Sequence, residues 1–107
     1  KTGGANVTPR EVEVVIESIP AVREAYVVGL PDKDRGQLVV AAVVLQSGEQ
    51  MSAEEMRVTV KAELSAYKVP KDFHIYRHDD LPFTDSGKID KRALLAMIEQ
   101  ASSQESA

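Results

Sequence analysis

Leu38-Val39-Val40-Ala41-Ala42-Val43-Val44-Leu45 is an unbroken apolar run with no polar face. A run this short fits a β-strand buried on both sides, so 37–45 is placed at the centre of a sheet. Val22–Val28, rich in β-branched residues and carrying Tyr26, reads as its neighbour. Gly29-Leu30-Pro31-Asp32 reads as a turn, followed by a polar loop of Lys33, Asp34, Arg35 and Gly36. That connection is too short for a helical crossover, so the two strands should pair antiparallel.

A strand covered on both faces needs amphipathic helices around it. Thr8-Pro9-Arg10-Glu11 is a helix start: a capping threonine, a proline at the first helical position and a glutamate completing a capping box. Val12, Val15, Ile16 and Ile19 then recur at helical spacing until Pro20. Ser52-Ala53-Glu54-Glu55 is a second capping box, and Met56, Val60 and Leu64 line one face behind it. Glu11, Glu13, Glu54 and Glu55 read as helix-start charges favoured by the macrodipole. This helix should end before Tyr67-Lys68-Val69-Pro70. Asp72–Arg77 alternates, with Phe73 and Ile75 on one side and His74 and Tyr76 on the other, as a half-buried strand does. Asp90 caps a last helix whose buried face is Leu94, Leu95 and Ile98. Residues 101–107 offer no apolar side chain larger than alanine and are expected to be a disordered tail and a true terminus. The order helix, strand, strand, helix, strand, helix predicts an α+β fold: a small, largely antiparallel three-stranded sheet flanked by helices.

The 107 residues suffice for one domain, and the 43% hydrophobic and 28% charged fractions are ordinary for a globular one. No cysteine is present, which excludes disulfides and thiolate metal sites. A net charge of −4, with three tyrosines, two phenylalanines and no tryptophan, argues against nucleic-acid binding. The longest apolar run is strand-sized, too short for a transmembrane segment. No signal peptide is visible, so the expected location is cytoplasmic.

The chemistry concentrates in Leu81-Pro82-Phe83-Thr84-Asp85-Ser86-Gly87-Lys88-Ile89-Asp90-Lys91-Arg92-Ala93-Leu94-Leu95. Here a turn presents Lys88 directly after Gly87, a mobile point charge on a backbone that admits close approach. A phosphate-cradling P-loop needs glycine five residues before Gly87 and Ser or Thr after the lysine; Pro82 and Ile89 stand there instead. His74 and His78, on and just beyond a strand, do not share a helical face, so no metal site is assigned. No serine shows a nucleophile signature.

Four segments, taken in order, carry a resemblance. Lys1-Thr2-Gly3-Gly4-Ala5-Asn6-Val7-Thr8-Pro9-Arg10-Glu11-Val12-Glu13 opens the chain, and Gly29-Leu30-Pro31-Asp32 with Arg35-Gly36-Gln37 follows. Tyr67-Lys68-Val69-Pro70 then precedes the stretch from Leu81 to Arg92. Over residues 1–100 this resembles the mobile C-terminal domain of the adenylate-forming enzymes: acyl-CoA synthetases, peptide-synthetase adenylation domains and luciferases.

The resemblance implies a ligase that joins a carboxylic acid to ATP as an acyl-adenylate and then passes the acyl group to a thiol, usually coenzyme A. It implies that Lys88 serves the first step, with Ser86 and Gly87 supporting its loop. It places Gly3 and Gly4 beside the pantetheine tunnel in the second step. Lys61 and Lys68 are candidates by position for the phosphates of coenzyme A, although solvated helix-end lysines need no function. ATP and Mg2+ would be held mainly by the N-terminal catalytic domain. That domain and the hinge residue are expected to lie outside these 107 residues, leaving the isolated piece inactive. The opening resembles fatty-acid and medium-chain CoA ligases more than peptide-synthetase domains, in which a carrier domain would replace coenzyme A. The remaining alternative is a non-catalytic α+β interaction module. Phe83 departs from the family, where that position is often basic. An exposed Lys88 would also be a target for a lysine acetyltransferase, which would remove its charge.

Overall fold

The computed structural model describes residues 8–32 and 36–106. Helix α1 (Pro9–Glu17) is followed by strands β1 (Val22–Asp32) and β2 (Gly36–Leu45). Helix α2 (Ala53–Lys61), strand β3 (Asp72–Ile75) and helix α3 (Lys91–Ser106) complete the order. Short 3-10 turns at Ala66–Lys68 and His78–Asp80 flank β3. The fold is α+β, with strand order β1-β2-β3. β1 and β2 pair antiparallel over most of their length, while β3 pairs parallel to β2. The sheet is therefore mixed, and α2 lies within the crossover that a parallel pair requires.

β2 is central and buried on both faces, as its composition demands. Val39, Ala41 and Val43 face one core with Val12 and Ile16 of α1, Met56 and Val60 of α2, and Phe73 of β3. Val40, Ala42 and Val44 face the other, with Leu81 and with Leu94 and Ile98 of α3. In β1, Ala25 and Val27 join the first core and Val28 the second. Val22 also faces the first core, out of step with Ala25, because the pairing register shifts between Val22 and Glu24. Such a bulge inserts a residue and flips the alternation beyond it.

Local signals set the helix starts. The Glu11 carboxylate accepts from the Thr8 N–H at 3.1 Å. Ser52 and Glu55 bond reciprocally, at 2.8 and 3.1 Å. The Asp90 carboxylate accepts from the Ala93 N–H at 3.1 Å. Lys68 Nζ lies 2.8 Å from Glu11 Oε1, tying the turn after α2 to the start of α1. That bond, and then the one from Thr8, lowers the Glu11 pKa below the usual carboxylate value.

Four expectations are corrected. Gly29–Asp32 is not a turn but the end of β1, paired as far as Asp32 with Gly36. An edge strand tolerates a proline such as Pro31, and the expected polar loop residues Lys33, Asp34 and Arg35 lie outside the described residues. α2 stops at Lys61, and Leu64 packs on the core from beyond the helix. Ile75 shares the alternation of Phe73 but is 44% exposed, at the last position of the edge strand β3 and outside the core that Phe73 joins. Finally, the backbone is helical through Ser106. Extending a helix already nucleated and packed costs little, even without apolar anchors.

Two outcomes are expected in urea unfolding. Ile16→Ala, at a site with no exposure, should cost about 2–5 kcal/mol, whereas Val14→Ala, 51% exposed on the same helix, should stay within about 0.5 kcal/mol. The second concerns Glu11. Its pKa is lowered by folding, so its contribution is complete above the usual carboxylate value and fades as pH falls through the folded value. Glu11→Gln should therefore be less stable than the parent at neutral pH, and the gap should close as acid protonates Glu11. A gap that persists or widens in acid would contradict this.

Candidate functional site

The Lys88 segment is a compact hairpin. Thr84 N–H donates to the Lys88 carbonyl at 2.7 Å, and Gly87 N–H to the Thr84 carbonyl at 2.9 Å. The Lys88 N–H reaches Thr84 Oγ1 at 3.3 Å, and the Thr84 and Ser86 hydroxyls lie 3.0 Å apart. Phe83 and Ile89 form an antiparallel bridge below the turn, and the Asp90 N–H donates to the Pro82 carbonyl at 2.9 Å. Gly87 has φ of +86°, the left-handed conformation that closes such a tight turn. The local chemistry explains the shape: Thr and Ser hydroxyls bond to nearby groups, and only glycine takes that φ without strain.

Lys88 is exposed at the tip, and its ammonium has no hydrogen-bonding or ionic partner among the described residues. The arms below it are held firmly. Phe83 lies edge-on to Tyr26, with ring centroids 6.3 Å apart, and stacks on His78 at 4.7 Å. Tyr26 Oη donates to Glu24 Oε1 at 2.6 Å, and His78 Nδ1 donates to Glu24 Oε2 at 2.7 Å. Burial first, and the Glu24 bond second, push the Tyr26 phenol well above its usual pKa, so it stays a donor at any ordinary pH. At the root of the other arm, Lys91 Nζ lies 2.7 Å from Glu13 Oε2 and donates to the Val27 carbonyl at 2.9 Å. Both arms thus attach to β1.

The structure brings Ser86, Gly87 and Lys88 together in one turn. Lys61 and Lys68 do not join them. They follow Met56 and Val60 on the α1–α2 side of the sheet, whereas Phe83 and Ile89 pack on the α3 side. Lys61 is exposed at the end of α2, and Lys68 bonds to Glu11. Gly3 and Gly4 lie outside the described residues. His74 and His78 do not converge: His74 stacks on Tyr76, and His78 bonds to Glu24. Phe83 serves as an aromatic anchor.

Sequence reasoning passed over Glu13, Glu24 and Lys91. Glu13 is not a solvated helix-start charge but is buried, with its Oε2 accepting from the Val27 N–H at 2.8 Å. The available signal was its place beside Val12 and three residues before Ile16, on the rim of the apolar stripe.

Residues 11–88 match the family described as the AMP-binding enzyme C-terminal domain. A long-chain-fatty-acid–CoA ligase of Bacillus subtilis is 42% identical over 93 residues, 87% of this chain and 16% of the ligase. An oxalate–CoA ligase of Saccharomyces cerevisiae is 37% identical over 100 residues, 94% of this chain and 18% of that enzyme. The amide bond synthetase McbA of Marinactinospora thermotolerans superimposes with a TM-score of 0.76 at 40% identity, covering 83% of this chain and 18% of McbA. The chain belongs to this family, the C-terminal domain of the adenylate-forming enzymes. It spans less than a fifth of the length of these relatives.

Gly87→Ala meets no neighbouring atom, so its cost is that of the backbone alone. It should destabilise the domain by about 1 kcal/mol, and Gly87→Asn by less, as read from denaturant midpoints.

Proposed function

We propose that this chain is the mobile C-terminal domain of an ATP-dependent acid–thiol ligase and that Lys88 is its adenylation lysine. One observation carries the reading: in a family of carboxylate-activating enzymes, an exposed ammonium without an ionic partner among the described residues stands at the tip of a hairpin braced on both arms.

In the first step, a carboxylate oxygen attacks the α-phosphorus of ATP and the bond to the pyrophosphate oxygen breaks. Two anions approach, and negative charge spreads over the α-phosphoryl oxygens. A cation placed there lowers the barrier electrostatically, with no proton transfer needed. In the second step a thiolate attacks the acyl carbonyl and AMP leaves. The hairpin would then have swung away, Gly3 and Gly4 would border the pantetheine tunnel, and Lys61 and Lys68 would meet the phosphates of coenzyme A. Among the described residues no three histidines or carboxylates converge as a metal site. Mg2+ would therefore arrive with ATP on the N-terminal domain, and no step here is routed through it.

The acid is proposed to be a fatty acid and the thiol coenzyme A, on the strength of the Bacillus relative and the opening segment. The oxalate ligase and the amide bond synthetase mark how widely acid and acceptor vary among relatives. The exposure of Lys88 makes it chemically open to acetylation, which would switch off the same step.

Lys88→Ala, in the enzyme of which this domain is part, should lower carboxylate-dependent ATP–pyrophosphate exchange by about a hundredfold or more. Thioester formation from pre-made acyl-adenylate should be largely kept. Unchanged exchange with the fold intact would remove Lys88 from the mechanism and favour a non-catalytic module.

A further inference from the structure

We propose that Lys91 is a positioning residue: its ammonium bolts the root of the Lys88 hairpin to Glu13 and to the edge of β1. The inference rests on the adenylation reading of Lys88 and adds to it the group that holds that lysine in place.

Lys91 is the first residue of α3 and follows the hairpin arm Lys88-Ile89-Asp90 directly. A cation at a helix N-terminus faces the positive end of the macrodipole, so the helix itself gains nothing from it. The side chain instead turns to the sheet edge. Its Nζ bonds to Glu13 Oε2 at 2.7 Å and to the Val27 carbonyl at 2.9 Å. Glu13 Oε2 in turn accepts from the Val27 N–H at 2.8 Å, and Glu13 Oε1 from Arg10 at 3.2 Å. Both peptide groups of one edge residue are thus saturated by two side chains from helices on opposite faces of the sheet.

The Glu13 side chain is only 6% exposed. The Lys91 side chain is 40% exposed, so water screens the attraction while Glu13 bears the cost of burial, and the pair is a weak source of net stability. Its distinctive effect is geometric. It fixes where α3 begins relative to β1, three residues from Lys88. The other arm is seated on Tyr26 and His78 through Phe83. With Lys91 released, the hairpin keeps its apolar seats at Phe83, Ile89 and Leu94 but loses its polar tie to β1, and the ammonium at its tip loses its registration with a distant α-phosphate. Misplacement by about 1 Å is enough to cost on the order of a hundredfold in a positioned reaction.

The test uses Lys91→Met, Lys91→Arg and Glu13→Gln in the enzyme of which this domain is part, alone and combined with Lys88→Ala. ATP–pyrophosphate exchange and thioester formation from pre-made acyl-adenylate are measured separately. Lys91→Met should lower kcat for exchange by roughly tenfold or more, with KM for ATP and the thioester step nearly unchanged. Lys91→Arg should restore most of the loss. In the Lys88→Ala background Lys91→Met should add no further loss, because it acts through Lys88. Exchange unaffected by Lys91→Met, equal losses in both half-reactions, or additive losses with Lys88→Ala would each overturn the proposal. Should Lys91→Met fail to fold, Glu13→Gln decides: it keeps an acceptor for Val27 and removes the charge facing Lys91. The same selective loss supports the proposal, and unchanged exchange defeats it. If Lys88→Ala itself leaves exchange intact, the adenylation reading falls and this inference with it. An inactive Lys88→Ala beside a fully active Lys91→Met sinks the positioning role alone.

Discussion

Between Leu38 and Leu45 the chain offers no polar side chain, so both faces of β2 must be kept from water. A three-stranded sheet has one central position, and β2 takes it. One face is then covered by α1 and α2, the other by α3 and the segment from Leu81. The helices need not be long to do this. Each buries a short stripe, and β2 supplies the common floor of both cores. The capped starts matter because helices this short are marginal without them.

The two edges of the sheet are used differently. β3 is brief, and its last residue, Ile75, remains exposed. β1 is long and carries the hairpin. Its residues Glu24 and Tyr26 seat one arm through Phe83 and His78, and Val27 receives Lys91 at the root of the other. An edge strand has unpaired peptide groups that must find partners. At Val27 they find side chains from helices on both faces, and one of these, Lys91, stands at the root of the hairpin. A domain proposed to swing as a body needs its cationic tip rigid relative to its own frame, since only then does the position of the domain specify the position of the charge.

Much of this was legible from the sequence. Thr8, Pro9 and Glu11, then Ser52 and Glu55, then Asp90, mark three helix starts through contacts spanning three residues. The apolar run gave away β2, and Gly87 marked the turn below Lys88. The misses share a cause. Gly29-Leu30-Pro31-Asp32 has turn composition, but pairing with β2 outweighs it at an edge where proline is harmless. Ile75 obeys the alternation of its strand, yet alternation says nothing about where the core ends. Glu13 looks like a first-turn carboxylate of the ordinary kind, and Lys91 like a surface cation.

The sequence by itself determined the element order, the double burial of β2, the capped helix starts and the glycine turn that lifts Lys88. Each of these is written in residues a few positions apart, where hydrogen-bonding reach and side-chain period act without the rest of the chain. The tertiary structure alone decided that Glu13, Val27 and Lys91 meet. That contact joins residues 78 positions apart and exists only after α1 and α3 have packed on opposite faces of the same sheet. A carboxylate and an ammonium carry no mark of their partners, because electrostatic attraction is unspecific until packing brings two particular groups together and removes the water between them.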